Sequence, residues 1–335
     1  MKMPLVSVVM PVYNMEKYIE SSLKSVFEQT FSDYEIVCVD DGSQDGSSAI
    51  LHAIDDPRLR IVKQHNQGLS AARNTGIYHA KGKYVALLDP DDLWEKDKLS
   101  EHVKHLETSN NIGISYCPSL FITEDGNKNG LGQFPKLHNI TLKTVMCRNP
   151  VGNGSAAVIR KDMLDELAPT LSKHESGRVC FFDESMRQSE DIDFWVYCAI
   201  HSSYEFEGIE APLTLYRINA SGLSANLKKQ FAAWEFCMEK HLKRAPDTVK
   251  PYFNLARAYQ YRYLSRRAVQ SRSAKDALAY CFKAFKSDTA ILREEPGRTL
   301  VTLGCALLSL LPGTLYSNVE RGVLNTLQRV RTNFV

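Results

Sequence analysis

No apolar run in this 335-residue chain reaches the roughly 20 residues a membrane-spanning helix needs; the longest, Thr299 to Pro312, stops short. The eight cysteines (Cys38, Cys117, Cys147, Cys180, Cys198, Cys237, Cys281, Cys305) form no C-x-x-C pair, so buried reduced thiols in a cytosolic protein are the expectation. No G-x-G-x-x-G occurs, so a dinucleotide fold of the dehydrogenase type has no phosphate loop here. Nor does Pro11-Val12-Tyr13-Asn14, after the first strand, supply the basic triphosphate loop of a nucleotidyltransferase. Met1-Lys2-Met3-Pro4 runs straight into a strand pattern, and no signal peptide is expected.

Hydrophobic residues make up 44% and charged residues 24%, the proportions of an ordinary soluble protein. The net charge of +2 hides an asymmetry. Residues 1–225 hold 22 Lys+Arg against 31 Asp+Glu, whereas residues 226–335 hold 19 against 8. A basic tail on an acidic body points either to an anionic partner, membrane lipid or another polyanion, or to a solvated basic helical surface.

Strand and helix patterns alternate through the first 118 residues. Leu5 to Met10, Glu35 to Val39, Leu59 to Val62, Tyr84 to Leu88 and Ile112 to Tyr116 read as strands. Between them Ile19, Leu23, Val26 and Phe27 recur at helical spacing, and Ser47–Ile54, Leu69–Ala80 and Lys96–Leu106 read as helices. This βαβ order predicts a mostly parallel α/β sheet, with ligands at the carboxyl ends of its strands. From Pro118 to Pro150 the pattern weakens into Gly/Asn-rich loop. Val151–Ile159 reads as a turn into a strand and Ser189–Ala199 as a helix with Ser189 in a capping position. Beyond Ser224 the composition turns to Ala-, Arg-, Lys- and Tyr-rich helices, with one helical hairpin over Asn254–Ala284. Two domains are expected, 1–224 and a basic α-helical region, 225–335.

Two strands end in acids. Tyr84–Leu88 runs into Asp89-Pro90-Asp91-Asp92, and Glu35–Val39 into Asp40-Asp41-Gly42-Ser43. Carboxylates in the first group would hold Mg²⁺ or Mn²⁺ against a diphosphate; capping and solvated turn acids are the plainer reading, which the apolar run and the second acidic end outweigh. Asp40–Ser43 could turn the chain, or a carboxylate there could accept the N3–H of a uracil. Arg73, in a helix of small residues, either snorkels or reaches toward phosphate or base. Glu190-Asp191 is either a dipole-favoured first turn or a general base aimed at an acceptor hydroxyl.

Ser7-Val8-Val9-Met10-Pro11-Val12-Tyr13-Asn14, Asp40-Asp41-Gly42-Ser43, Gly68-Leu69-Ser70-Ala71-Ala72-Arg73-Asn74, Asp89-Pro90-Asp91-Asp92 and Ser189-Glu190-Asp191 stand in the order and spacing of glycosyltransferase family 2. The resemblance covers about residues 4–224. It implies a GT-A fold and inverting transfer from a nucleotide-sugar. Pro11 and Tyr13 would line the nucleobase pocket and Asp41 would read the uracil edge, which favours UDP. Arg73 would lie at the base or diphosphate, and Asp89 or Asp91 at the ribose. Asp91, with Asp92, would hold Mn²⁺ or Mg²⁺, and Asp191 would deprotonate the acceptor. Two departures matter. Asn219 stands where family members commonly carry a His that in some helps hold the metal, which leaves the third ligand open. Gln230-Phe231-Ala232-Ala233-Trp234 lacks the Arg of the processive Q-x-x-R-W motif, so single-sugar transfer is expected.

The acceptor expected is a glycan or lipid-linked saccharide at the cytoplasmic membrane face, with no nucleic-acid partner. A stripe of Tyr316, Val319, Val323, Leu327 and Val330 beside Arg321, Arg329 and Arg331 suits an interfacial helix on an anionic leaflet, and equally a packed or homodimer-forming one. The alternative from another class is a non-catalytic nucleotide-sugar or glycan-binding module on the same fold.

Overall fold

The computed structural model describes residues 3–218 and 227–311. Its first half alternates as the pattern predicts: β1 (Val6–Val12), α1 (Ile19–Phe27), β2 (Tyr34–Asp40), α2 (Ser47–Ala53), β3 (Leu59–Lys63), α3 (Leu69–His79) and β4 (Tyr84–Leu87). Then come β5 (Leu93–Trp94), α4 (Lys98–Thr108), β6 (Ile112–Tyr116), β7 (Ser119–Ile122), β8 (Lys128–Gln133) and α5 (Leu142–Arg148). β9 (Ala157–Arg160), α6 (Lys161–Leu167), α7 (Glu190–His201), β10 (Glu205–Gly208) and β11 (Thr214–Arg217) follow. The chain continues in helices α8 (Leu227–Arg244), α9 (Pro246–Gln270), α10 (Ala274–Ser287), α11 (Ile291–Glu294) and α12 (Pro296–Leu308).

The main sheet has seven strands in the order β10-β6-β9-β4-β1-β2-β3. All its pairs are parallel except those of β9, which runs antiparallel to both β4 and β6. Helices cover both faces, so its central strands are apolar throughout rather than alternating. Val6, Val8, Met10 and Val12 pack toward α1 and α4 with Ile19, Leu23, Leu99 and Leu106. The opposite face sets Val37 and Val39 against Ala72 of α3. Pro11 lies buried near the end of β1. Toward β2 the ladder continues to Val12↔Asp40, but toward β4 it stops at Val9↔Leu87. Val9 faces β4, since its carbonyl accepts the Leu88 N–H, so Pro11 two residues on faces β4 without a donor. The chain after β4 is therefore released where its acids begin.

A second sheet, in the order β5-β11-β7-β8, was not foreseen. It takes in β7 and β8 from the stretch expected to be loop. β8 reads Lys-Asn-Gly-Leu-Gly-Gln and is exposed over its first four residues, so no buried face imprints a period of two on it. β5 is only two residues long. Ser189 departs from its expected capping role: its backbone is left-handed (φ 61°) and its side chain makes no cap bond, so the hydroxyl is not directed at the first turn of α7.

Two compact units divide the chain, one of Met1–Asn226 with Ala232–Ala245, the other of Leu227–Phe231 with Pro246–Val335. In the second, α9 and α10 form the expected helical hairpin, with Ala268, Ala277, Cys281 and Ala306 of α12 at its centre. No disulfide joins cysteines among the described residues. No helix among the described residues is long and apolar enough to cross a membrane. Asn219, Ser221 and the stripe from Tyr316 to Arg331 lie outside the described residues.

Candidate active site

The three acids after β4 have three different environments. Asp92 is 1% exposed, with both oxygens engaged: Oδ1 accepts the Arg217 N–H at 2.9 Å and Oδ2 the Ser155 hydroxyl at 2.6 Å. The same hydroxyl accepts the Asp89 N–H at 3.0 Å, so Ser155 fixes both ends of the turn. Burial, then the charges of Asp91 and Asp89, push Asp92 well above the usual carboxylate range. Asp91 is half-buried, and its carbonyl accepts Arg217 Nε at 2.7 Å. Arg217 also donates Nη1 to the carbonyls of Thr123 and Glu124, so β11 holds this turn from the far side.

Asp89 turns the other way. Its Oδ1 accepts Arg73 Nη2 at 2.7 Å, and Arg73 Nη1 donates to Glu190 Oε1 at 2.8 Å. Arg73 is 2% exposed and its guanidinium lies over the Phe182 ring, with Nε buried and unpartnered. Burial alone would lower its pKa, but the Asp89 and Glu190 carboxylates outweigh that and hold it charged. The fork is what a lysine could not provide: one planar cation on α3 joins the turn after β4 to the start of α7, where its partner Glu190 lies 117 residues further along the chain. Gly154 makes room for it, since a Cβ there would lie 2.7 Å from Arg73 Nη2.

Asp191 follows Glu190 on the first turn of α7, half-buried. Burial, then the neighbouring Glu190 charge, raise its carboxyl to about 7, against the opposing pull of Arg73. Tyr216 of β11 registers the whole group. Burial, then Asp92, Asp89, Asp91 and Asp191, push its phenol upward, so all four acids act on one point. Ser189, in its left-handed conformation immediately before Glu190, is the sort of backbone strain that collects at functional sites.

The ends of β1 and β2 form the other wall. Tyr13 is 42% exposed, a large ring left in solvent two residues after the buried Pro11. Asn14 sews the two loops together: its N–H donates to Ser43 Oγ at 3.2 Å and its Oδ1 accepts the Gln44 N–H at 2.8 Å. Asp41 is buried and anchors the approach to α3, accepting Gln64 Nε2 (2.7 Å) and the N–H groups of Gln67 (2.9 Å) and Gly68 (2.8 Å). That uses three of a carboxylate's roughly four acceptor directions.

Sequence reasoning missed Ser155, Glu190 as the partner of Arg73, Tyr216 and Arg217. Glu190 carried a signal in its place beside Asp191, and Tyr216 and Arg217 in opening the loop that resembles the family's at Asn219, though neither was given a role. Ser155 carried none, because it acts through contacts more than 60 residues away in sequence.

A divalent cation needs oxygen ligands at the rim, and the donor set near Asp89 and Asp91 has that chemistry. Asp92 does not fit a ligand role, because burial and its two bonds leave it bracing the turn. A separate group of ligand-type side chains, Asp193, Cys237 and His241, is buried between α7 and the latter part of α8. There Lys240 Nζ lies 2.6 Å from Asp193 Oδ2 and His241 Nε2 2.9 Å from Oδ1, so a cation of the protein's own already neutralises the carboxylate.

Comparison with known proteins agrees with this architecture. The family model described as glycosyl transferase family 2 matches residues 7–168. An uncharacterised glycosyltransferase of Methanocaldococcus jannaschii, MJ1057, is 30% identical over 254 residues, covering 72% of this chain and 81% of that one. The chain belongs to glycosyl transferase family 2 and is a glycosyltransferase. Among solved structures, TarS of S. aureus (residues 1–349) in complex with UDP-GlcNAc superposes with a TM-score of 0.59 at 16% identity, covering 95% of this chain and 92% of that one. The mannosyltransferase PcManGT from Pyrobaculum calidifontis, in complex with GDP-Man and Mn²⁺, gives 0.56 at 21% identity, covering 92% and 86%. Both share the GT-A-type fold, the mostly parallel sheet flanked by helices.

Proposed function

We propose that this chain moves one sugar, with inversion, from a nucleotide-sugar, UDP-linked in preference, to a hydroxyl of a growing glycan or lipid-linked acceptor in cell-surface polysaccharide biosynthesis. The observation that carries the reading is the Asp89–Arg73–Glu190 bridge, because it sets Asp191 on one rim with the acids that follow β4. Tyr13 and Pro11 flank the nucleobase, and the remaining acceptor direction of Asp41 takes the uracil N3–H. Asp89 orients the ribose. Asp91 would hold Mn²⁺ or Mg²⁺, which when bound offsets the charge of the departing diphosphate.

Asp191 takes the proton from the acceptor hydroxyl as its oxygen attacks the anomeric carbon on the face opposite the leaving diphosphate. No covalent nucleophile is needed, since one carboxylate on the attacking face suffices for inversion. Arg73 keeps a positive charge beside that carboxylate, which limits how far burial raises it. Asp91 and Asp191 thus divide the work between donor and acceptor, and work at the cytoplasmic membrane face would bring a lipid-linked acceptor within reach.

Asp191→Asn tests this directly. Turnover should fall by about 10²–10⁴-fold while nucleotide binding is retained. Unchanged turnover in that variant would overturn the assignment, and absence of turnover in the parent with every nucleotide-sugar would favour a binding module.

A further inference from the structure

We propose that the outward face of α12 is a docking surface for an anionic lipid bilayer. α12 is buried on one side and apolar but exposed on the other. Its inner side carries Thr299, Thr302 and Ala306, all buried, with Ala306 in the cluster of Ala268, Ala277 and Cys281. Its outer side carries Leu300, Val301, Leu307 and Leu308, which are 57%, 66%, 52% and 38% exposed, and Leu311 beyond the helix end is 38% exposed. Positions 300, 301, 304, 307, 308 and 311 form one stripe at helical spacing, and Gly304 falls within it. A helix already packed on one side that carries an apolar stripe on the other leaves that stripe without a cover, and a contiguous exposed patch of this kind marks an interaction site.

Charge selects the occupant. Residues 246–311 hold 11 Lys+Arg against 5 Asp+Glu, and Glu295 is taken by Arg262 at 2.5 Å. Arg293 and Arg298, both exposed, stand just before and within the first turn of α12. A second copy of the unit would bring like charge against like, whereas an anionic leaflet supplies the opposite sign. At 13 residues α12 is about 20 Å long, too short to cross the hydrocarbon core but suited to lying in the headgroup boundary with its outer leucines inserted. The surface stands or falls apart from the identity of the donor, because no residue of the candidate active site takes part.

The test is flotation of the 335-residue chain with vesicles of phosphatidylcholine alone and with 30 mol% phosphatidylglycerol, at about 0.05 and 0.5 M salt. Binding is expected to the anionic vesicles at low salt and to weaken at high salt. The double variant L300Q/L307Q, at two exposed positions, should bind at least about tenfold less while keeping its thermal midpoint and turnover on a soluble acceptor. No flotation with either vesicle overturns the proposal. Undiminished flotation of L300Q/L307Q removes the assignment to this face. A dimer by light scattering that L300Q/L307Q dissolves, without vesicle binding, gives the face to a second copy and likewise overturns it.

Discussion

Replacing Asp191 by Asn should make the protein more stable at high pH while stopping it from working. The Asp191 carboxyl is raised from an ordinary 3.8 to about 7, by burial first and the Glu190 charge second. Between those values the folded chain keeps a proton that the unfolded chain releases. Stability therefore falls as pH rises from about 4 to about 7 and is level beyond. About three pH units at 1.36 kcal/mol each set an upper bound of about 4 kcal/mol, and half-burial brings the expectation to about 2–4 kcal/mol. Asn carries no such cost. Thermal unfolding of the two proteins should thus converge only below about pH 4 and separate at pH 8, the Asn variant melting higher by roughly 4–8 °C. Activity runs the other way, since a general base must be ionised: kcat/KM should rise tenfold per pH unit up to about 7 and then level. A melting difference independent of pH, or an Asn variant less stable at pH 8, would refute the electrostatic reasoning.

Other substitutions separate bracing from binding. Ser155→Ala removes the acceptor for the Asp89 N–H and the donor to Asp92, so it should lower stability by about 1–3 kcal/mol and raise the KM for the donor, measured by melting and steady-state kinetics. Arg73→Lys keeps the charge but cannot span Asp89 and Glu190; a loss of about 2–4 kcal/mol with at least tenfold lower kcat is expected, and unaltered kinetics would count against the bridge. Asp91→Asn should raise the Mn²⁺ concentration for half-maximal rate more than tenfold, whereas Asp92→Asn should shift it less than threefold in the same titration. Gly76→Ala places a Cβ 2.3 Å from Val9 Cγ1 where α3 crosses β1, and a destabilisation of about 1–3 kcal/mol should appear in the melt.

The first four strands and the helices between them were legible because β1, β2 and β4 are buried on both faces and their apolar runs end in acids or turns. The antiparallel β9 was read as a strand but not placed, since direction is set by partners and not by its own residues. The second sheet was illegible for a different reason: β8 has almost no buried side and β5 has no length. Short motifs singled out Asp89, Asp91, Arg73 and Asp191 as candidates, yet said nothing of what each touches. Asp91 and Asp92 look alike in sequence. Only the convergence of Ser155 and the Arg217 N–H makes Asp92 a brace. Asp41 shows the same limit, because its three bonds to Gln64, Gln67 and Gly68 come from a loop whose path no local pattern records.

Calorimetric titration of UDP, GDP and dTDP into the 335-residue chain, with and without Mn²⁺, tests the central claim most directly. Binding of UDP alone, lost when Mn²⁺ is removed and weakened by Asp91→Asn, is the expected result. No binding of any nucleotide under either condition would contradict the proposed donor and metal chemistry.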